Sequence, residues 1–85
     1  MSVKVLYFAW VREKVGKAEE SLDVPAGVET AQQFITWLKG RGPEYAEAFA
    51  RAEVIRVAVD RTHVKPTASI AGAREIAFFP PVTGG

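Results

Sequence analysis

Cysteine is absent from this 85-residue chain, and histidine occurs once. Without cysteine there is no disulfide framework, no thiolate-held iron–sulfur cluster and no cysteine nucleophile. One histidine, His63, cannot build a metal site alone, because such sites need several ligands. It reads as a surface strand residue. Excess charge is missing too: eleven lysines and arginines face ten aspartates and glutamates, for a net charge of +1. Acids and bases alternate, as in Arg12-Glu13-Lys14 and Arg74-Glu75. A nucleic-acid or membrane-surface role wants a clustered basic excess instead. No apolar run approaches the roughly 18 residues of a membrane-spanning helix, and residues 1–4 lack signal-peptide architecture. The expected location is therefore the cytoplasm. No glycine-rich loop links a strand to a helix, so phosphate cradling is unsupported. Ser21 and Ser69 have no visible base partner, and Asp60 is most simply a turn former.

What is present is an ordinary globular composition, 48% hydrophobic and 25% charged, in a length that suits one domain. A domain this small buries only about 60% of its unfolded surface, which leaves a modest core. Residues 3–8 alternate as a strand with apolar side chains on both faces. Residues 9–15 form a short amphipathic turn or helix closed by Gly16. Residues 19–24 alternate again, with Leu22 and Val24 inward, and pair with the first strand as a hairpin. Thr30 and Gln33 form a capping-box pattern that opens the main helix. Its core stripe is Ala31, Phe34, Ile35 and Leu38. Gly40 and Gly42 stop it, and Pro43 suits the first turn of a second short helix over residues 44–51, anchored by Tyr45, Ala48 and Phe49. Residues 54–59 form a strand with Ile55, Val57 and Val59 inward. Residues 60–62 turn, residues 63–64 return briefly, residues 68–73 are a loop with a turn at Gly72, and residues 75–79 are the last strand. The order predicts an α+β fold with a mixed sheet of about five strands crossed by one main helix. The helix crossover lets the first and last strands lie in parallel.

The end of the chain is the most informative stretch. Ile76-Ala77-Phe78-Phe79 runs into Pro80-Pro81, then Val82-Thr83-Gly84-Gly85. The prolines fix φ near −65° and keep Phe79 extended, so residues 80–85 should project as a stiff tail from a domain of residues 1–79. The tail's reach is about 20 Å at roughly 3.3–3.6 Å per residue. Gly84 and Gly85 carry no Cβ, so this end can thread a narrow channel and deliver one group, the Gly85 carboxylate. Parity adds a surface. If Val5, Tyr7, Ile55, Val57, Ile76 and Phe78 face the helix, then Leu6, Phe8, Ala58, Ala77 and Phe79 face outward as an apolar patch at the root of the tail. Contiguous exposed apolar surface marks interaction sites, with aromatic anchors. A competing expectation is that the loop near residues 63–71 covers part of the patch.

Residues 77–85, Ala-Phe-Phe-Pro-Pro-Val-Thr-Gly-Gly, resemble the C-terminal signature of the molybdopterin synthase small subunit, the MoaD family of ubiquitin-like sulfur carriers. Val3-Lys4-Val5-Leu6-Tyr7-Phe8-Ala9, with Arg12-Glu13 following, resembles that family's first strand and turn. Many members carry Asn in the turn after the third strand, where this chain has Asp60. The resemblance implies the β-grasp, or ubiquitin-like, fold. It implies that the Gly85 carboxylate is the reacting group: a ubiquitin-activating-type enzyme adenylates it with ATP, and sulfur then replaces AMP to leave a thiocarboxylate. The large subunit of molybdopterin synthase would supply the active site, where a cyclic pyranopterin precursor receives the sulfur. Val82, Thr83, Gly84 and Gly85 would occupy the partner's channel, while Phe8, Arg12, Phe79, Pro80 and Pro81 would contact the partner. This chain would itself bind no cofactor or metal. The same fold and tail could serve thiazole or cysteine synthesis, tRNA thiolation or protein conjugation, and a binding module whose tail is never activated is the other class of reading.

Overall fold

The computed structural model describes residues 2–81. Met1 and the tail residues Val82, Thr83, Gly84 and Gly85 lie outside the described residues. Five strands, β1 (Ser2–Tyr7), β2 (Glu19–Asp23), β3 (Arg56–Val59), β4 (Thr62–Val64) and β5 (Glu75–Phe79), form one sheet in the order β2-β1-β5-β3-β4. β1 and β5 pair in parallel, and the other neighbours are antiparallel. Helices α1 (Ala9–Val15), α2 (Ala31–Lys39) and α3 (Pro43–Ala48) complete the chain, with a 3-10 turn at Ala52–Val54. This is the β-grasp arrangement: a mixed sheet whose central parallel pair is joined through the helical crossover.

The helix boundaries follow from local chemistry. Thr30 caps α2 by accepting from the Gln33 N–H at 3.2 Å, while Gln33 Oε1 accepts from the Thr30 N–H at 3.1 Å, so both members of the capping box are made. Ala31, Phe34, Ile35 and Leu38 are buried, as their spacing predicts. Gly16 ends α1 at φ 89°, a left-handed conformation in which a Cβ is strained, and donates to Arg12 O at 2.8 Å. Pro43 opens α3, which is shorter than the expected 44–51 because the chain turns at Phe49 into the 3-10 segment.

The core is wholly apolar: among the described residues no polar or charged residue is buried. Phe78 is its hub. Its ring lies 6.3 Å from Tyr7, 6.2 Å from Phe34 and 5.1 Å from Phe49, the last edge-on. Such pairs add to the area term through ring quadrupoles. The strand expected over residues 54–59 begins later, at Arg56. Val54 and Ile55 instead donate to Arg51 O and Ala52 O in the 3-10 turn, which is how the chain leaves α3 and still enters the sheet. Ile55 keeps its inward place, but Val59 is only half-buried beside the turn. Ile70 joins the core from the loop: its N–H bonds Glu29 O at 2.9 Å and its carbonyl accepts from Ala73 N at 3.1 Å.

Glu20 is the one carboxylate that alternation sends to the helix side, opposite Val5. Its Oε2 accepts from the hydroxyls of Tyr7 and Tyr45, both at 2.7 Å, and its Oε1 from Arg41 Nη1 at 3.2 Å. This ties β2 to β1 and to α3. Partial burial pushes the Glu20 carboxyl upward, but hydrogen bonds from Tyr45, Tyr7 and Arg41 outweigh it, and the net shift is downward. Burial and the bond to Glu20 push the Tyr7 hydroxyl up, so it stays a donor throughout the ordinary pH range. A carboxyl held below its unfolded value stabilises the fold above that value, and the contribution is lost as pH falls through the folded one. Glu20→Gln should therefore lower the unfolding free energy by about 1.5–3 kcal/mol at neutral pH, the range for hydrogen bonds to a charged group. The deficit relative to wild type should shrink below about pH 4.3, where an unfolded glutamate takes its proton; denaturant melts at pH 7 and pH 3 check both points.

Candidate functional site: an apolar sheet face at the root of the tail

β5 alternates as a strand must, so Phe78 points into the core and Phe79 to the open face. The register sets Leu6, Ala77, Ala58 and His63 opposite one another across β1, β5, β3 and β4. The next row toward the tail holds Phe79, paired with Arg56, and Phe8, whose N–H reaches Phe78 O at 3.1 Å. The structure thus brings Phe8 and Phe79 together at one end of the open face. Phe8 is 46% exposed, the only large hydrophobic so exposed among the described residues. Leu6, Ala58 and Phe79 are half-buried, while Ala77, expected on the outward patch, is only 8% exposed. It sits on the central strand with Leu6 on one side and Ala58 on the other, and its short methyl floors the patch.

Phe8 lies outside the strand in which alternation placed it. Its φ of −124° and ψ of 153° make it the N-cap of α1, and its carbonyl accepts from Val11 N at 3.1 Å and Arg12 N at 3.4 Å. The backbone of Phe8 is therefore fixed by the sheet through its N–H and by the helix through its C=O. Ala9 bends the chain between them at φ 52°, a left-handed conformation that costs a non-glycine residue roughly 1–2 kcal/mol. An exposed aromatic on a doubly anchored backbone is pre-organised for binding, since little freedom remains to be lost.

Arg12 stands exposed on α1, one helical turn from Phe8, and its side chain makes no ion pair among the described residues. Pro80 and Pro81 follow Phe79 directly, half-buried and outside any element. Val82, Thr83, Gly84 and Gly85, expected to thread a partner, are the residues beyond that description. The loop expected over part of the patch turns elsewhere: Pro66 O and Ala68 O accept from Gln32 N and Ala31 N at 2.8 and 3.1 Å, and Ser69 bridges to Thr30. These bonds hold it at the start of α2, on the helix side, and leave His63 as the member that reaches the patch. Asp60 does more than turn the chain. At φ 48° it directs Oδ1 to Arg74 N at 2.9 Å and Glu75 N at 3.0 Å, fastening the start of β5. A side-chain amide offers the same acceptor oxygen. Among the described residues no cluster of His, Cys, Asp or Glu could hold a metal, and no helix is long and apolar enough to cross a membrane.

The sequence from residue 5 to residue 85 matches the ThiS family. The chain belongs to that family. Among curated proteins, the molybdopterin synthase sulfur carrier subunit of Escherichia coli is 35% identical over 83 residues, spanning 98% of this chain and 99% of that one. The subunit of the same name from Haemophilus influenzae is 32% identical over 83 residues with the same coverage. Among solved structures, a putative molybdopterin converting factor subunit 1 from Pyrococcus furiosus superposes with a TM-score of 0.74 at 26% identity, covering 96% of this chain and 99% of that one. SAMP1 from Haloferax volcanii gives 0.72 at 24% identity over the whole of both chains and speaks for the fold alone.

Phe8, after β1, and Phe78, in β5, should separate surface from core. Phe8→Ala should change the unfolding free energy by no more than about 0.5 kcal/mol, as surface changes do. Phe78→Ala, at the hub, should cost about 3–5 kcal/mol. Urea titrations of the two variants beside wild type are the check.

Proposed function

We propose that this chain is the sulfur-carrier subunit of molybdopterin synthase, and that Gly85 is its working residue. The observation that carries the reading is the continuity of β5: one strand is pinned in the core by Phe78, presents Phe79 on the apolar face and runs directly into Pro80-Pro81. Docking face and tail thus share one rigid root. Near-full-length likeness to proteins named sulfur carrier subunits supports the pathway.

The chemistry follows from what a carboxylate lacks. Its leaving group would be oxide, so it is a poor acyl donor. An adenylating enzyme of the ubiquitin-activating type lets a Gly85 carboxylate oxygen attack the α-phosphorus of ATP, with pyrophosphate leaving. A sulfur nucleophile then attacks the acyl carbon and AMP departs, leaving a thiocarboxylate. The cycle needs no nucleophile from this body, which has no cysteine. The large subunit receives Val82, Thr83, Gly84 and Gly85 in a channel, with Phe8, Phe79, Pro80 and Pro81 seated against its surface and Arg12 offering a polar contact at the edge. There the sulfur passes to a cyclic pyranopterin precursor as the dithiolene forms. ATP belongs to the activating partner, and the cytoplasm is where all three proteins would meet.

A chain extended by one residue past Gly85, or lacking Gly85, should fold as wild type by circular dichroism and melting yet form no thiocarboxylate with its activating enzyme, ATP and a sulfur donor. Sulfur loading on the shortened chain would overturn the assignment of Gly85. Isopeptide adducts on other proteins, in place of sulfur loading, would point to a protein modifier.

A further inference from the structure

The open sheet face carries a titratable ring that no step above uses. His63 closes the row Leu6, Ala77, Ala58, His63. Its ring centroid lies 5.2 Å from that of Phe79, tilted by 46°, and the residue is exposed. A surface that covers Phe79 therefore meets His63 as well.

The groups around His63 give its charged form little support. Arg56, on β3, and Asp60, in the turn after it, hold the positions diagonal to its partner Ala58. Asp60 Oδ1 is already accepting from two backbone N–H groups. On the β4 hairpin Arg61 and Lys65 lie two residues to either side. Glu75, on the same face of β5, stands 3.9 Å from Arg61 Nε. No carboxylate among the described residues pairs with His63, while three cations lie at these neighbouring positions. An imidazolium covered there would give up water beside Phe79 and Ala58 without a counter-charge, which is costly. A neutral imidazole is a flat, largely apolar ring that fits beside Phe79.

We infer that His63 is an affinity-setting residue of the docking face, and that the partner binds the chain with His63 neutral, so protonation competes with docking. The inference rests on the reading that Phe8 and Phe79 dock the large subunit. If only the neutral form docks, binding weakens as the ring charges, on the order of tenfold between pH 7.5 and pH 5.5.

The test is a calorimetric titration of the chain into the molybdopterin synthase large subunit of its own organism at both pH values. Wild type, His63→Leu, His63→Gln and Phe8→Ala are compared. The partner's own titrations affect every variant alike, so the ratio between the two pH values is the readout. Wild type should show a ratio about tenfold larger than His63→Leu and His63→Gln, while Phe8→Ala should be weaker at both pH values with the wild-type ratio. Equal ratios for wild type and His63→Leu, with Phe8→Ala still weakened, would overturn this inference alone. Undiminished binding by Phe8→Ala, or no binding by wild type at pH 7.5, would overturn the docking face and this inference with it.

Discussion

The parallel pairing of β1 with β5 is the constraint from which the remaining features follow. It lays the first and last strands side by side, Val5 beside Ile76 and Tyr7 beside Phe78. A parallel pair cannot be closed by a hairpin, so most of the chain is the crossover that it requires. The same pairing sets two consecutive phenylalanines to opposite tasks. Phe78 gathers Tyr7, Phe34 and Phe49 into one aromatic cluster, and Phe79 is thereby committed to the other face, next to Phe8. A slip of one residue would exchange them, exposing the hub and burying the anchor.

Around that pair the molecule divides into a part that is fastened and a part that is offered. Polar groups do the fastening at the margins. Glu20 gathers two tyrosine hydroxyls and a guanidinium at one edge of the sheet. Asp60 holds the entry to β5 through two backbone N–H groups. Both serve the structure itself, each gathering hydrogen bonds from other segments of the chain. What is offered is the open face and the strand end beyond it. A body so firmly anchored suits a sulfur carrier.

Much of this was legible in the sequence because it is written in short-range patterns. The Thr30–Gln33 cap, the helical stripe from Ala31 to Leu38 and the β5 alternation each span a few residues, and each appears where its spacing places it. The misreadings share another cause. Val54-Ile55 looks like the start of a strand, but the turn out of α3 takes their N–H groups first. Ile70 stands alone in a polar loop with no period to reveal it, and is buried because the loop docks on Glu29 and α2. Glu20 looks like any strand carboxylate, and the partners that tie it to other elements, Tyr7, Arg41 and Tyr45, lie 13 to 25 residues away. Phe8 reads as the last strand residue, yet serves as a helix cap, a difference made by the left-handed turn at Ala9. The apolar patch was legible through parity, except that parity gives direction and not height, and Ala77 lies lower than expected.

The account comes down to one acyl end that is converted while the body stays unchanged. Intact-mass measurement of this chain purified from its native host, together with whatever co-purifies, addresses that most directly. The account predicts a species in which one oxygen has been replaced by one sulfur, localised by fragmentation to Gly85, with the large subunit in the same fraction. Sulfur found elsewhere in the chain, or a large-subunit complex in active cells whose carrier chain never bears sulfur at Gly85, would contradict it.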